Sequence, residues 1–442
     1  MKTHCSFKKR GVHMVTKFLI LLTVSLFSIS ASAEGLDTGD TAWMLTSTAL
    51  VLFMTLPGLA LFYAGLVRSK NAVSVLMQCF TIACLASIVW VVYGYSLAFT
   101  DGNAFIGDLS KAFLNGVGRD ALNGSHPESV WVIFQMTFAI ITPALVVGAF
   151  AERMKFGAMC LFTVLWLTFV YIPACHMVWQ GNGYLYNLGL IDFAGGLVVH
   201  LTCGVGALVA AIVIGKRKGF PSSPMPPHNR TMVVTGAAML WVGWFGFNAG
   251  SAAAADTNAG MAMLVTHISA ATGAFVWMAI EWLRQGKPTV VGIATGMVAG
   301  LATITPASGT VGPQGALLIG LLAGSVCYFA TQAIKGILKI DDSLDVFPVH
   351  GVGGMLGIIM LCFVGLPEGF LGIGAAGLSV DTPMSQLSIQ LQGILIIGLW
   401  TAIASWIILK QISLVTDLRV SEDSENEGLD VTEHEERSYD LN

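Results

Sequence analysis

Along this chain, long apolar stretches alternate with short polar or charged ones. Eleven stretches reach about the 20 residues that a helix needs to cross a bilayer. They are Trp43–Leu66, Ala72–Phe99, Val130–Phe150, Gly157–Val178, Asp192–Ile214, Thr231–Ala253, Ala259–Leu283, Val290–Thr305, Gly315–Ala333, Val346–Val364 and Leu387–Leu409. A twelfth, shorter run differs in kind. Lys8, Lys9, Arg10 and Lys17 lead into Phe18–Phe27, and Ala31-Ser32-Ala33 follows with small-residue spacing. That order predicts a cleavable signal peptide over residues 1–33. The loop from Gly219 to Arg230 is rich in Pro and Ser, with five spans before it and five between it and the last span. An odd number per half reverses the direction of the second half. The expected architecture is therefore an all-α membrane protein with two inverted five-helix repeats, about 41–218 and 231–365, and an eleventh helix over 387–410. The transmembrane domain covers 34–410, and 411–442 form a tail.

Composition agrees, with 55% apolar and only 11% charged residues, where soluble domains carry about 25% charged. A net charge of -4 leaves no basic footprint for nucleic acid. Charge also orients the chain. Arg68/Lys70, Arg153/Lys155, Lys216/Arg217/Lys218/Arg230, Arg284/Lys287, Lys335/Lys339 and Lys410/Arg419 all fall on one side, while the opposite loops hold Lys111 and Arg119. The positive-inside rule puts the mature N-terminus outside and the tail in the cytoplasm, in the inner membrane of the cell. Seven of the eight cysteines lie in apolar runs without ligand spacing, so they read as small packing residues. Glycines four apart (Gly292/Gly296/Gly300, Gly320/Gly324, Gly353/Gly357) predict close helix contacts in lipid.

Two segments 150 positions apart share a pattern: Asp192 precedes His200, and Asp342 precedes His350, each by eight residues, with Val before the His and Gly four after it. At 1.5 Å per residue each His is expected about 12 Å inside its end of the span. In two oppositely directed spans, both imidazoles then meet near the middle of a core about 30 Å thick. Ionisable groups there are costly and point to function. A lone membrane histidine is better read as bonded to a neighbouring helix, and His176 and His267 are read so. A metal site needs a carboxylate or thiolate beside the two histidines; Asp192 and Asp342 lie toward opposite faces, so no metal or cofactor is expected.

The motifs Pro57–Arg68 (PGLALFYAGLVR), Tyr171-Ile172-Pro173, Asp192–Gly196 (DFAGG), Gly243–Ser251 (GWFGFNAGS) and Asp341–Asp345 (DDSLD) running to His350 resemble the ammonium transporter family, in its bacterial branch, over nearly all of the chain from Asp37 onward. The resemblance implies eleven transmembrane helices in inverted halves, a homotrimer with one pore per subunit, and ammonium or ammonia as substrate. It implies roles by motif. Phe134, Trp179 and Ser251 match an outer ammonium-recruiting site. Phe138 and Phe247 match a stacked pair that closes the outer mouth, and His200 and His350 match paired pore histidines. Asp192 matches a buried support of the outer site, and Asp342 and Asp345 fall in the matching inner motif. An aromatic face attracts a small cation, worth about 0.5–2 kcal/mol, and a hydroxyl accepts an N–H bond that potassium lacks. Beyond the rings a bare ion is expensive in an apolar tube, so ammonium is expected to be deprotonated and ammonia conducted, with or without the proton.

By residue type alone, Trp179 reads as an interface anchor, Phe138 and Phe247 as core aromatics, and Asp192 as a helix cap. Two departures stand out. Gln180-Gly181-Asn182-Gly183 replaces a glycine run, and Pro348 stands where glycine is usual, with an expected bend in that helix. The tail is acidic over Ser421–Glu427, which by itself reads as a solvated charge run, while Arg419-Val420 and Gly428-Leu429-Asp430-Val431 resemble the family's ordered regulatory tail, which implies a PII-type signalling protein as partner besides membrane lipid. Three function classes compete. A transporter leads. The alternative is an ammonium sensor signalling through the tail, although the tail is short. A membrane enzyme is not expected, because no nucleophile, cofactor loop or carboxylate pair accompanies the histidines.

Overall fold

The computed structural model describes residues 35–365 and 383–440. The proposed signal peptide lies outside the described residues. Among these, eleven helices are long and apolar enough to cross a membrane. They are α1 (Thr38–Leu66), α2 (Ser69–Phe99), α3 (Glu128–Phe150), α4 (Phe156–Asn187), α5 (Gly196–Ile214), α6 (Arg230–Gly250), α7 (Thr257–Gln285), α8 (Val290–Ala307), α9 (Pro313–Ile337), α10 (Phe347–Gly365) and α11 (Pro383–Ile412). Two short tail helices follow, α12 (Glu422–Glu427) and α13 (Leu429–His434). Every span read from hydropathy has its helix. The apolar windows differ in burial: α3 is 83% and α8 78% buried, whereas α11 is only 28% buried. The first two belong to the protein interior, and α11 turns most of its apolar surface outward, as a lipid-facing helix does.

One expectation is corrected by the start of α5. Asp192 does not sit in the helix; the chain stays irregular until Gly196, so the rise counted from Asp192 was not helical over its whole length. The Asp342 segment behaves alike, with α10 beginning at Phe347. The histidine-bearing stretches Gly196–Leu201 and Phe347–Gly351 are both π-helical, a widening of the helix that recurs at functional positions. Pro348 fits this start: it occupies the first turn, where its missing N–H has no helical partner to lose.

Small residues let these two helices cross. A Cβ on Gly204 would lie 2.4 Å from the Gly351 backbone, and one on Gly354 would lie 2.5 Å from the Gly196 carbonyl and 2.9 Å from the His200 Cβ. The glycine four residues after each histidine is thus the contact that lets the other helix in.

The face that carries the tail is held by buried ions. Arg217 pairs with Asp341 and Glu152, each at 2.8 Å, and Arg68 reaches Glu152 at 3.0 Å. Arg153 is fully buried and donates to the Asp341 and Gly215 carbonyls and the Ser343 hydroxyl. Burial pushes the Glu152 carboxyl up, but Arg217 and Arg68 outweigh it and hold it below the usual range. Arg68, Arg153 and Arg217, counted above as orienting charges, therefore also lock the loops after α1, α3 and α5 to the Asp341 segment. Removing one member of such a network strands a buried charge.

The tail docks on this face. Gly428 has φ of +118°, a conformation that side-chain-bearing residues rarely adopt, and Leu429 packs behind it, 1% exposed. Asn71 accepts from the Leu429 N–H at 2.9 Å, and Asp430 accepts from the Ser74 N–H at 2.7 Å. Glu425, also buried, accepts from Arg419 at 2.6 Å and from the Lys218 N–H at 2.7 Å. The acidic run is therefore not merely solvated; its charges meet the basic loops of its own chain.

Candidate functional site

Asp192 builds the site's frame. One carboxylate oxygen accepts from the N–H groups of Gly195 (2.9 Å) and Gly196 (2.6 Å), the other from those of Leu197 (2.8 Å) and Val198 (3.2 Å). These are the free donors of a helix start, with the positive end of the helix dipole behind them. Burial pushes the Asp192 carboxyl above the usual range, against these four donors. Its own carbonyl accepts from the Trp179 indole N–H at 2.8 Å. One residue thereby fixes both the helix of His200 and the ring of Trp179. Asp342 plays the lesser version: one oxygen accepts from the Phe347 N–H at 2.7 Å, and burial, then the neighbouring Asp345, raises its carboxyl to about 6. Asp345 pairs with Lys335 at 2.8 Å.

A line of rings runs from Trp179 and Phe134 to the histidines. Phe138 meets Trp179 edge-on (centroids 5.8 Å apart, 89°), and Phe134 at 5.1 Å. Phe138 and Phe247 lie against each other with centroids 4.3 Å apart, tilted by 33°. Phe247 stands 6.1 Å from His200 with the planes nearly parallel. His200 then stacks on His350, centroids 5.2 Å apart, and their Nδ1 atoms share a hydrogen bond of 3.2 Å. Both histidines are buried, 1% and 4% exposed. The Ser251 hydroxyl donates to the Phe247 carbonyl at 2.8 Å, which leaves its oxygen lone pairs to accept.

The space along this line is narrow. Between Phe247 and the histidines, a void lined by Leu145, Val199, Leu240 and Trp244 has about 10 Å³ of room, scarcely one water molecule, and it is almost wholly apolar. Beyond His350 a cavity of about 210 Å³ widens toward the tail face, lined by Tyr63, Thr295, Lys335, Asp345 and His350.

All the residues named from the sequence are accounted for. Phe134, Phe138, Trp179, Phe247, His200 and His350 form one chain of contacts; Ser251 joins it through Phe247. Asp192 and Asp342 hold the helix starts, and Asp345 lines the inner cavity. Two participants had not been singled out. Trp244 stacks on His200 at 5.5 Å and 27°, its indole N–H tied to Thr305 at 2.9 Å; it stands three residues before Phe247, which puts it on the same helix face. Cys203 lies beside the histidine pair, three residues after His200. Of the two histidines read as structural, His176 contacts the Ala98 and Asn103 carbonyls, and His267 meets Trp241 ring to ring, tilted by 32° with centroids 5.2 Å apart.

Residues 42–439 match the family model described as "Ammonium Transporter Family". An ammonium transporter from Aquifex aeolicus is 44% identical over 96% of this chain and 98% of its own length. One from Bacillus subtilis is 44% identical over 91% of this chain and 98% of its own. Among solved structures, Saccharomyces cerevisiae Mep2 superposes with a TM-score of 0.80 at 36% identity, covering 88% of each chain. A sensor Amt protein superposes with a TM-score of 0.83 at 30% identity, covering 90% of this chain and 98% of that one. The chain belongs to the ammonium transporter family.

Proposed function

We propose that this protein carries ammonium nitrogen across the cytoplasmic membrane by recruiting ammonium at the aromatic end, removing its proton, and passing ammonia along the histidine pair. The observation that carries the reading is the sequence of environments on one line. First come Phe134 and Trp179 against Phe138, with the Ser251 hydroxyl on Phe247, then the close pair Phe138 and Phe247 itself, then a void of about 10 Å³ lined by His200 and His350 with Tyr63, Trp244 and aliphatic side chains. A cation is stabilised over the first by ring faces and an accepting hydroxyl. It loses that support and its hydration in the third, where only the neutral base is cheap to hold. The imidazole pair offers one donor and one acceptor in turn, the two roles that ammonia exchanges. In this reading the aromatic end faces outward, the tail face is cytoplasmic, the two five-helix halves are inverted repeats, and three chains associate.

Trp179→Leu tests the recruiting step. It removes a cation-attracting face worth about 0.5–2 kcal/mol, so half-saturation in proteoliposome uptake rises several-fold while uptake at saturating ammonium is largely restored. A variant that aggregates but keeps normal concentration dependence makes Trp179 an anchor instead.

The docked tail supports regulation by a PII-type protein. Deleting residues 421–442 removes α12 and α13 with their contacts to Lys70, Asn71 and Lys218. The truncated protein is expected to keep its oligomeric state in size-exclusion chromatography, transport less, and fail to retain PII in a pull-down. Full transport with PII retained assigns the tail no regulatory part.

A further inference from the structure

Cys203 completes a donor set that neither histidine makes alone. One donor atom from each of His200, Cys203 and His350 lies within 4.8 Å of the others, and all three residues are buried. The two Nδ1 atoms are 3.2 Å apart, the separation that two nitrogens take when each binds one ion at about 2.0 Å. The spacing of three residues sets Cys203 on the same side of α5 as His200. Its thiol makes one weak hydrogen bond, to the His200 carbonyl at 3.4 Å, and His200 Nε2 is buried without a partner among the described residues.

We propose that His200, Cys203 and His350 form a coordination site for a soft monovalent metal ion, Cu(I) or Ag(I), and that its occupation closes the pore. Two imidazoles and a thiolate suit soft metals over Mg²⁺ or Ca²⁺, which take oxygen ligands. Charge selects the valence. The site is dry, and an uncompensated charge there is costly. A thiolate with a monovalent ion is neutral, whereas a divalent ion leaves a net positive charge. On binding, the Cys203 S–H bond breaks, its proton leaves to solvent, and a sulfur–metal bond forms without change of oxidation state. The imidazole that donates between the Nδ1 atoms moves that proton to Nε2, and both Nδ1 lone pairs turn to the ion. The 210 Å³ cavity gives a path: His350 lines it, and so does Asp345, which pairs with Lys335 through one carboxylate oxygen and keeps the other buried and unpartnered among the described residues. A metal bound here ties the two rings together and takes the lone pairs that ammonia needs; this consequence rests on the pore reading above.

The test uses purified protein in which Cys84 and Cys160, the cysteines not buried among the described residues, and Cys5, which lies outside them, are alanine. Silver nitrate is added in chloride-free buffer. Bound silver is counted after desalting, its ligands are read by silver K-edge X-ray absorption, and ammonium flux is measured in proteoliposomes. The expected result is one silver ion per chain bound by one sulfur and two nitrogens, with flux falling to the protein-free level. Adding Cys203→Ala abolishes both the binding and the inhibition, the latter read as the ratio of flux with silver to that variant's own flux without it. Absence of bound silver, ligation by sulfur alone, or equal inhibition of the Cys203→Ala protein overturns the proposal. If the protein conducts no ammonium at all, the pore reading fails, while the silver count and ligand set still decide the site.

Discussion

Asp192→Ala is expected to lower the stability of the folded protein by on the order of 4 kcal/mol and to abolish uptake. The substitution removes the acceptor of four buried N–H groups at the start of α5, and each orphaned buried donor costs about 1–3 kcal/mol before relaxation. The chemical damage spreads in two directions. The backbone carbonyl that fixes the Trp179 indole shifts with the turn, and so does the helix that presents His200. Asp192→Asn is expected to fall between, because one amide oxygen still accepts while the amide nitrogen faces two N–H donors. Thermal unfolding in detergent and uptake in proteoliposomes check the order wild type, Asn, Ala. A wild-type unfolding temperature and wild-type uptake for the Ala variant would show that the four contacts do not hold the site.

Replacing either histidine of the buried pair should have the second large effect, on selectivity more than on folding. His200→Ala removes the ring that stacks on Phe247, Trp244 and His350, and His350→Ala removes the other half of the hydrogen-bonded pair. Each leaves a space in an otherwise closed void, which admits water and lowers the desolvation cost that excludes ions. Ammonium uptake is expected to change at least about tenfold, equivalent to about 1.4 kcal/mol in a barrier, and potassium to pass where it does not in wild type. The yield of folded protein should change little. Unaltered uptake and unaltered ion discrimination in both single variants would remove the pair from the mechanism.

The spans were legible because a membrane imposes one requirement on sequence: an apolar stretch of fixed length with its backbone bonded internally. The pairing of His200 with His350 was legible because each carries the same Asp eight residues before and Gly four residues after, and those neighbours turn out to be the helix start and the crossing contact. The roles of Phe138, Phe247 and Ser251 came from resemblance, since isolated phenylalanines in an apolar span look like packing.

What was not legible depends on contacts between distant segments. Nothing local marks Arg217 as the partner of Asp341, more than a hundred residues away, or Asn71 as the acceptor for the tail at Leu429. The π-helical starts of α5 and α10 carry no period that a hydropathy pattern records. Cys203 was read as packing because thiols in apolar runs usually are; only the crossing of α5 and α10 at Gly204 and Gly351 sets it beside both histidines. Trp244 was hidden likewise, its position three residues from Phe247 being common in any helix.

The most direct test of the account is uptake by the purified wild-type protein in liposomes, driven in parallel by an ammonium gradient and by an equal potassium gradient. The account predicts saturable ammonium uptake well above protein-free liposomes, with potassium uptake at the protein-free level. Ammonium uptake equal to that of protein-free liposomes, or potassium passing as readily as ammonium, would contradict it.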